Sequence, residues 1–242
     1  VSAVVISPTF NEVDNIEWFL RSVRRAAPEA HIVIVDDNSP DGTGEVADRV
    51  AAELGEVTVL HRAGKLGLGS AYRAAFQHAL DAGFDVIVTM DCDRSHDPAV
   101  IAELVAAVRA GAGIAIGSRY VPGGGTANWP WHRRMLSKWG NRYTSLLLGF
   151  DVHDSTSGFR AYDASELKAV DPGATTAEGY AFLYELVRRF HHRGARFTEV
   201  PIVFVDRTHG TSKMSGRIVV ESMLLVTRWG LADRFGRGQR TE

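Results

Sequence analysis

"VIVTMDCDRSHDP" runs from Val86 to Pro98, and its reading decides the fold. The run starts with Val86, Ile87 and Val88 and ends on two carboxylates one residue apart, Asp91 and Asp93. A short β-branched run bounded by polar residues reads as a buried strand. Four other stretches read the same way: "AVVISP" (Ala3–Pro8), "HIVIVDD" (His31–Asp37), "VTVLH" (Val57–His61) and "GIAIGS" (Gly113–Ser118). Between them, residues 14–27, 43–54, 68–82 and 98–110 carry apolar side chains at three- and four-residue spacing, which predicts helices. This alternation predicts right-handed βαβ units and an α/β fold with a Rossmann-like, mostly parallel sheet flanked by helices.

Such sheets bind ligands at the carboxyl ends of their strands. Each of the five runs ends in a polar cluster: "PTFNE", "DDNSPDGT", "RAGKLGLG", "DCDRSHDP" and "SRY". One site built from five strand ends is the expectation.

The second half is less regular. "VPGGGTANWP" has loop composition, and residues 131–149 read as an amphipathic helix with Met135, Leu136, Trp139, Tyr143, Leu146 and Leu147 on its apolar face. Arg133, Ser137 and Asn141 recur on another stripe. "STSGFRAYD" reads as extended, residues 178–193 as helix, "RFTEVPIVFV" as one strand and residues 217–231 as a last helix. One domain over residues 1–232 is expected, in two halves (1–118 and 119–232), followed by a polar tail at 233–242.

Within 242 residues, 45% hydrophobic and 23% charged is ordinary for a soluble globular chain and sufficient for one large core. A single cysteine, Cys92, excludes an internal disulfide framework and fits a reducing compartment. No leader segment and no transmembrane helix are expected. The net charge of −2 conceals polarity. Residues 1–118 hold 9 Lys/Arg against 17 Asp/Glu, whereas residues 119–242 hold 18 against 12. Arg119 to Arg142 has five basic side chains and no acidic one. That stretch suits an anionic partner, with a partnerless basic patch as the plain alternative.

Two carboxylates at a strand end repel each other unless a cation lies between them. Carboxylate oxygens suit Mg²⁺ or Mn²⁺, which leave positions open for phosphate oxygens. A helix N-cap accounts for Asp97 before Pro98 but not for the pair. Haloacid-dehalogenase-type phosphatases also place Asp-x-Asp after a strand, but on their first strand and with Thr or Val where Ser95 stands here. "GKLGLG" (Gly64–Gly69) lacks both the Walker spacing and the third glycine of a dinucleotide loop. Its glycines would still allow main-chain N–H groups near an anion, with Lys65 adding charge. Asp36 and Asp37 are too many for capping alone, and one of them is placed to accept from a ribose or base edge. The nine histidines show no metal spacing.

"SPTFNEVDNI", "VDDNSPDGT", "RAGKLGLGSAYRAAF", "MDCDRSHDP", "IGSRYV", "DSTSGFRAY" and "DRTHGTSKMS", in this order, resemble the motifs of polyprenyl-phosphate mannosyltransferases, also called dolichyl-phosphate mannose synthases. These are inverting family-2 glycosyltransferases with a glycosyltransferase A-type fold. The resemblance covers about residues 3–217. It implies a nucleotide-sugar side formed by Pro8, Phe10, Glu12, Val35, Asp37, Lys65 and Cys92. It implies Asp91 and Asp93, with Ser95, at a divalent metal, and Arg119, Arg133 and Ser137 on a lipid phosphate. Arg207 and Lys213 would meet the donor from a loop and, with Asp91, Asp93 and Arg119, take part in catalysis. Phe10 stands where relatives often carry Tyr, and Ser95 where some carry Gln. No counterpart of the C-terminal membrane helices of many relatives is expected. The implied reaction takes mannose from GDP-mannose to a polyprenyl or dolichyl phosphate at the cytoplasmic membrane surface. Attachment would be peripheral or through a partner, and no nucleic acid is involved. The alternatives are a UDP-glucose-dependent glucosyltransferase and an inactive nucleotide-sugar or lipid-phosphate binding module.

Overall fold

A computed structural model describes residues 2–206 and 216–236. The five apolar runs form strands β1 (Ala3–Thr9), β2 (His31–Asp36), β3 (Val57–His61), β4 (Val86–Thr89) and β5 (Ile114–Ser118). Helices α1 (Val13–Ala26), α2 (Thr43–Leu54), α3 (Leu68–Asp81) and α4 (Ile101–Arg109) connect them. The second half supplies β6 (Gly125–Ala127), α5 (Trp131–Leu148), β7 (Arg160–Asp163), α6 (Ala164–Val170), α7 (Tyr180–His192), β8 (Phe197–Pro201), β9 (Val203–Val205) and α8 (Gly216–Gly236).

The main sheet has the order β3-β2-β1-β4-β7-β5-β8. Its central strands are apolar on both faces because both faces are covered. Val4, Ile6, Val33 and Val35 pack on one side with Tyr72, Phe76 and Phe182. Val5, Ile32 and Ile34 pack on the other with Phe19, Leu20 and Leu104. From β1 the chain runs outward through β2 and β3, then returns to place β4 on the other flank of β1. That reversal opens a crevice at the carboxyl ends of β1 and β4, where doubly wound sheets bind ligands.

β7 is antiparallel to both β4 and β5. Its first residue, Arg160, therefore lies opposite Thr89 and Ile116. An antiparallel strand brings its entry loop, rather than its exit loop, to the carboxyl edge of its neighbours. Residues 154–158 reach the crevice this way.

The stretch read as one strand over 196–205 is two. β8 extends the main sheet beside β5, and β9 pairs with β6 in a small second sheet. Ile202 makes the transition, donating to Ser118 O at 3.0 Å and accepting from Gly125 N at 2.9 Å. The last helix continues five residues past the expected Leu231, to Gly236. It packs on α5, where Tyr143 Oη meets Thr227 Oγ1 at 2.6 Å. A Cβ on Gly230 would come within 2.8 Å of Leu147 O, so glycine permits the close crossing.

The apolar face expected for α5 is not its buried face. Its buried residues are Asn141, Thr144 and Leu148, while Met135, Leu136, Trp139 and Leu146 are exposed. The first half of the helix borders the cleft rather than the core, and the helix's Ser137, Asn141 and Thr144 stripe turns inward there. Only its second half is covered, where Tyr143 and Leu147 meet Leu225 and Trp229.

Candidate active site

Beyond β4 the chain turns through Asp91, Cys92 and Asp93, with Arg94 at a φ of 64°. Asp93 is buried, and its Oδ1 accepts from Ser95 N at 3.1 Å and Ser95 Oγ at 2.5 Å. The Asp91 side chain is 42% exposed, and its Oδ2 lies 3.8 Å from His96 Nε2. Across from it, a Cβ on Gly158 would sit 3.3 Å from Asp91 Oδ2, so the glycine leaves the carboxylate its space. Burial, together with the negative charges of Glu12, Asp93 and Asp91, raises the Cys92 thiol pKa and keeps it neutral.

This pair fits Mg²⁺ or Mn²⁺ by its donor chemistry: two hard oxygens on an open wall. Among the described residues no three His, Cys, Asp or Glu side chains gather as a metal cluster. Mg²⁺ and Mn²⁺ keep water and phosphate oxygens in their shells, so a carboxylate pair without a protein cage is compatible with either. Ser95 stands behind Asp93 and aims it. His96 is 4% exposed between Phe159 and Phe204, and neither ring nitrogen has a hydrogen-bond partner among the described residues.

On the β1–β2 side the two neighbouring aspartates separate. Asp36 accepts from Ser39 N at 3.1 Å and Ser39 Oγ at 2.5 Å, holding the turn. Asp37 faces the cleft and pairs with Arg62 Nη1 at 2.7 Å. Burial raises its pKa more than Arg62 lowers it. Lys65 Nζ lies 4.1 Å above the Phe10 ring. The glycines of "GKLGLG" serve a different contact from the one expected. A Cβ on Gly67 would fall 2.6 Å from Glu178 Oε2, and one on Gly69 2.8 Å from Ala177 O. The anion at this main chain is the protein's own: Glu178 accepts from Gly69 N at 3.1 Å and pairs with Arg73.

The β5 side is built around Arg119. Its Nε and Nη2 donate to Asp154 Oδ2 and Oδ1 at 2.7 and 2.6 Å, and its main-chain N donates to Oδ2 at 3.0 Å. Asp154 is fully buried. Burial alone would raise its pKa, but the Arg119 charge and hydrogen bonds overcome this and hold it below the ordinary carboxylate value. Arg133 stacks on Trp129 at 4.0 Å and meets Asp206 at 2.9 Å. Ser137 Oγ accepts from Tyr120 Oη at 2.6 Å. Arg160 is fully buried and donates to the carbonyls of Ser155, Ser157 and Leu183, which fixes the loop carrying Thr156 to Gly158.

Pro8, Phe10, Glu12, Asp37, Lys65, Asp91, Cys92, Asp93, Arg119, Arg133 and Ser137 line one cleft of about 700 Å³. Val35 and Ser95 are buried and are not on its wall. Arg207 and Lys213 lie outside the described residues. Sequence reasoning missed Asp154, Trp129 and Phe204, and placed Asn141 on the stripe with Arg133 and Ser137 without giving it a role. The signal for Asp154 was present: an arginine ending a buried strand requires a carboxylate, and "DSTSGFRAY" begins with one.

The family model for glycosyl transferase family 2 matches residues 4–170. The chain is 47% identical to polyprenol monophosphomannose synthase of Mycolicibacterium smegmatis, over 98% of its own length and 89% of that protein's. It is 48% identical to undecaprenyl-phosphate mannosyltransferase of Micrococcus luteus, over 96% and 95%. Two solved structures share the fold. A mannosyltransferase from Pyrobaculum calidifontis in complex with GDP-Man and Mn²⁺ matches at TM-score 0.64 and 18% identity, over 99% of this chain and 64% of that one. Glucosyl-3-phosphoglycerate synthase from Mycobacterium tuberculosis, with Mn²⁺, UDP and its product, matches at 0.66 and 20%, over 97% and 80%. A family match over more than half of the chain and two relatives near half identity along almost all of it lead to one conclusion: the chain belongs to glycosyl transferase family 2.

Proposed function

We propose that the protein transfers mannose from GDP-mannose to a polyprenyl or dolichyl phosphate, with inversion, giving the β-linked lipid phosphate mannose and GDP. The observation that carries this reading is one cleft with a carboxylate pair on one wall and Arg133 with Ser137 on the other. The first wall suits a nucleoside diphosphate with a divalent ion, and the second suits a phosphate monoester.

The chemistry follows from the acceptor. An alcohol would need a base to take its proton. A lipid phosphate is already anionic, so orientation matters more than deprotonation. Arg133, partly exposed, stacked on Trp129 and paired through Nη1 with Asp206, would present its guanidinium to the phosphate, and Ser137, fixed by Tyr120, a hydroxyl beside it. Arg119 is bound by Asp154, so it shapes this wall more than it contributes a free cation. Asp91 and Asp93 would hold Mg²⁺ or Mn²⁺, whose charge stabilises the departing diphosphate. Asp37, Phe10, Glu12 and Lys65 would hold the nucleotide. Arg207 and Lys213 would reach the donor diphosphate.

The enzyme would work at the cytoplasmic face of the membrane, attached peripherally or through a partner. Among the described residues no helix is long and apolar enough to cross a bilayer.

Radiolabelled GDP-mannose with polyprenyl phosphate tests the reaction. The expected product is a lipid phosphate carrying β-mannose, and release of free mannose or inorganic phosphate instead would reject transfer. Arg133→Ala should raise KM for lipid phosphate about 10–100-fold, from loss of a charge-assisted hydrogen bond, and leave KM for GDP-mannose nearly unchanged. An effect confined to the nucleotide would put Arg133 on the wrong substrate.

A further inference from the structure

α5 separates two hollows. Arg133, Ser137, Asn141 and Thr144 face the cleft. On its other side Arg134 and Lys138 line a second hollow of about 260 Å³, facing Tyr120, Gly125 and Thr126. Arg119 lines both, and the Tyr120–Ser137 hydrogen bond lies between them.

Three observations identify what the second hollow takes. First, its charge is uncompensated. Residues 119–148 contain no acidic side chain, and Arg134 and Lys138 have no ion-pair partner among the described residues, unlike Arg133. Second, Thr126 borders the hollow, and its Oγ1 is buried without a hydrogen-bond partner among the described residues. Third, it opens beside apolar side chains that gain nothing from water. At 3.6 residues per turn, Trp131, Arg134, Met135, Lys138 and Arg142 fall within about 100° of one another, away from the cleft stripe. Trp131 is 75% exposed and Met135 60% exposed. Basic and apolar residues together on one outward face suit a helix lying in a lipid interface.

We infer that this hollow binds the phosphate of an anionic phospholipid headgroup, with Trp131 and Met135 in the adjoining acyl boundary. Arg134 and Lys138, two cations around one phosphodiester, supply charge-assisted hydrogen bonds. The flanking apolar pair selects a bilayer over a free phosphate ester. The inference rests on the reading of the cleft as a lipid-phosphate site, since a headgroup held behind α5 presents the cleft to the same membrane.

The test is flotation of the full chain with vesicles of phosphatidylcholine, with and without phosphatidylglycerol. Binding should require phosphatidylglycerol. Arg134→Gln should weaken it about thirtyfold, by loss of a hydrogen bond to a charged group. Arg142→Gln removes the same charge from the same face outside the hollow and should cost about fivefold. Gly125→Asp, where an added Cβ meets open space, should match Arg134→Gln by bringing a negative charge to the hollow. Equal losses for Arg134→Gln and Arg142→Gln would overturn the site in favour of diffuse surface charge. Release of the protein from vesicles by glycerol phosphate at matched ionic strength would overturn the lipid assignment. Transfer to a short, water-soluble isoprenyl phosphate should be unchanged in all three variants. Absence of that transfer in the wild type would reject the proposed function, while the vesicle comparison still decides the headgroup site.

Discussion

Asp91→Asn and Asp93→Asn each lower kcat for mannosyl transfer by about 10²–10³-fold, the loss expected when electrostatic stabilisation of a leaving group is removed. The two carboxylates stand one residue apart at the crevice between β1 and β4, and neither contributes to the apolar core. Asparagine keeps their shape and removes the charge a divalent ion requires. Asparagine also keeps the Oδ1 acceptor that Ser95 N and Oγ use at position 93, so both metal-free variants should fold as the wild type does. A metal that binds only the folded protein raises its Tm by mass action. Mn²⁺ should therefore raise the Tm of the wild type and of neither variant. Near-normal turnover with unchanged metal dependence would show that the replaced carboxylate is not a ligand.

Arg119→Met unfolds about 10 °C earlier than the wild type. The change leaves the Asp154 carboxylate buried without its cation, which costs about 3–5 kcal/mol. For a chain of this size each kcal/mol is worth roughly 2–4 °C. The pH dependence gives the sign. In the wild type the Asp154 pKa is held below its unfolded value, so the pair's stabilisation is present above that value and is lost only as pH falls through the depressed one. In the variant the guanidinium charge is gone, and burial, the largest influence, is opposed only by the hydrogen bonds from the residue-119 main-chain N–H and Thr156 Oγ1, so the pKa rises. Its folded state then takes up a proton more readily than its unfolded state, so stability recovers on acidification. The gap between the two proteins should be widest near neutrality and narrow towards pH 4 (about the ordinary Asp pKa). Adding Asp154→Leu to Arg119→Met should restore most of the stability without restoring activity. A single variant as stable as the wild type at pH 7 would contradict the ion pair.

The β1–β5 half was legible because strands buried on both faces must be β-branched along their whole length, and polar residues can begin only where the strand leaves the core. Asp91, Asp93, Asp37 and Arg119, which line the cleft, all stand at such strand ends, although the resemblance rather than the strand pattern singled out Asp37 and Arg119. What failed involved pairing between distant segments. "STSGFRAYD" read as extended, but no local signal said that β7 would insert antiparallel between β4 and β5. Asp154 therefore went unassigned, although it governs Arg119. The break at Ile202 follows Pro201, a residue that sits at strand ends and edges, but β8 and β9 are adjacent apolar-rich runs that read as one and differ in partner. The helix at 131–149 and its apolar face were legible, but not what each part of that face meets: Tyr143 and Leu147 pack with the last helix, Leu136 and Trp139 border the cleft, and Met135 and Leu146 are exposed. Hydrophobic periodicity also gave no sign that Ser137, Asn141 and Thr144 would turn towards the cleft. The "GKLGLG" glycines were read as a cradle for a ligand anion, but they make room for Glu178.

The most direct measurement of the central claim offers labelled GDP-mannose and UDP-glucose in competition to one preparation with polyprenyl phosphate, before and after EDTA and again after Mg²⁺ or Mn²⁺ is restored. The predicted result is label from mannose alone in the lipid fraction, abolished by EDTA and recovered with metal. Label from glucose in the lipid, or transfer that EDTA does not touch, would contradict it.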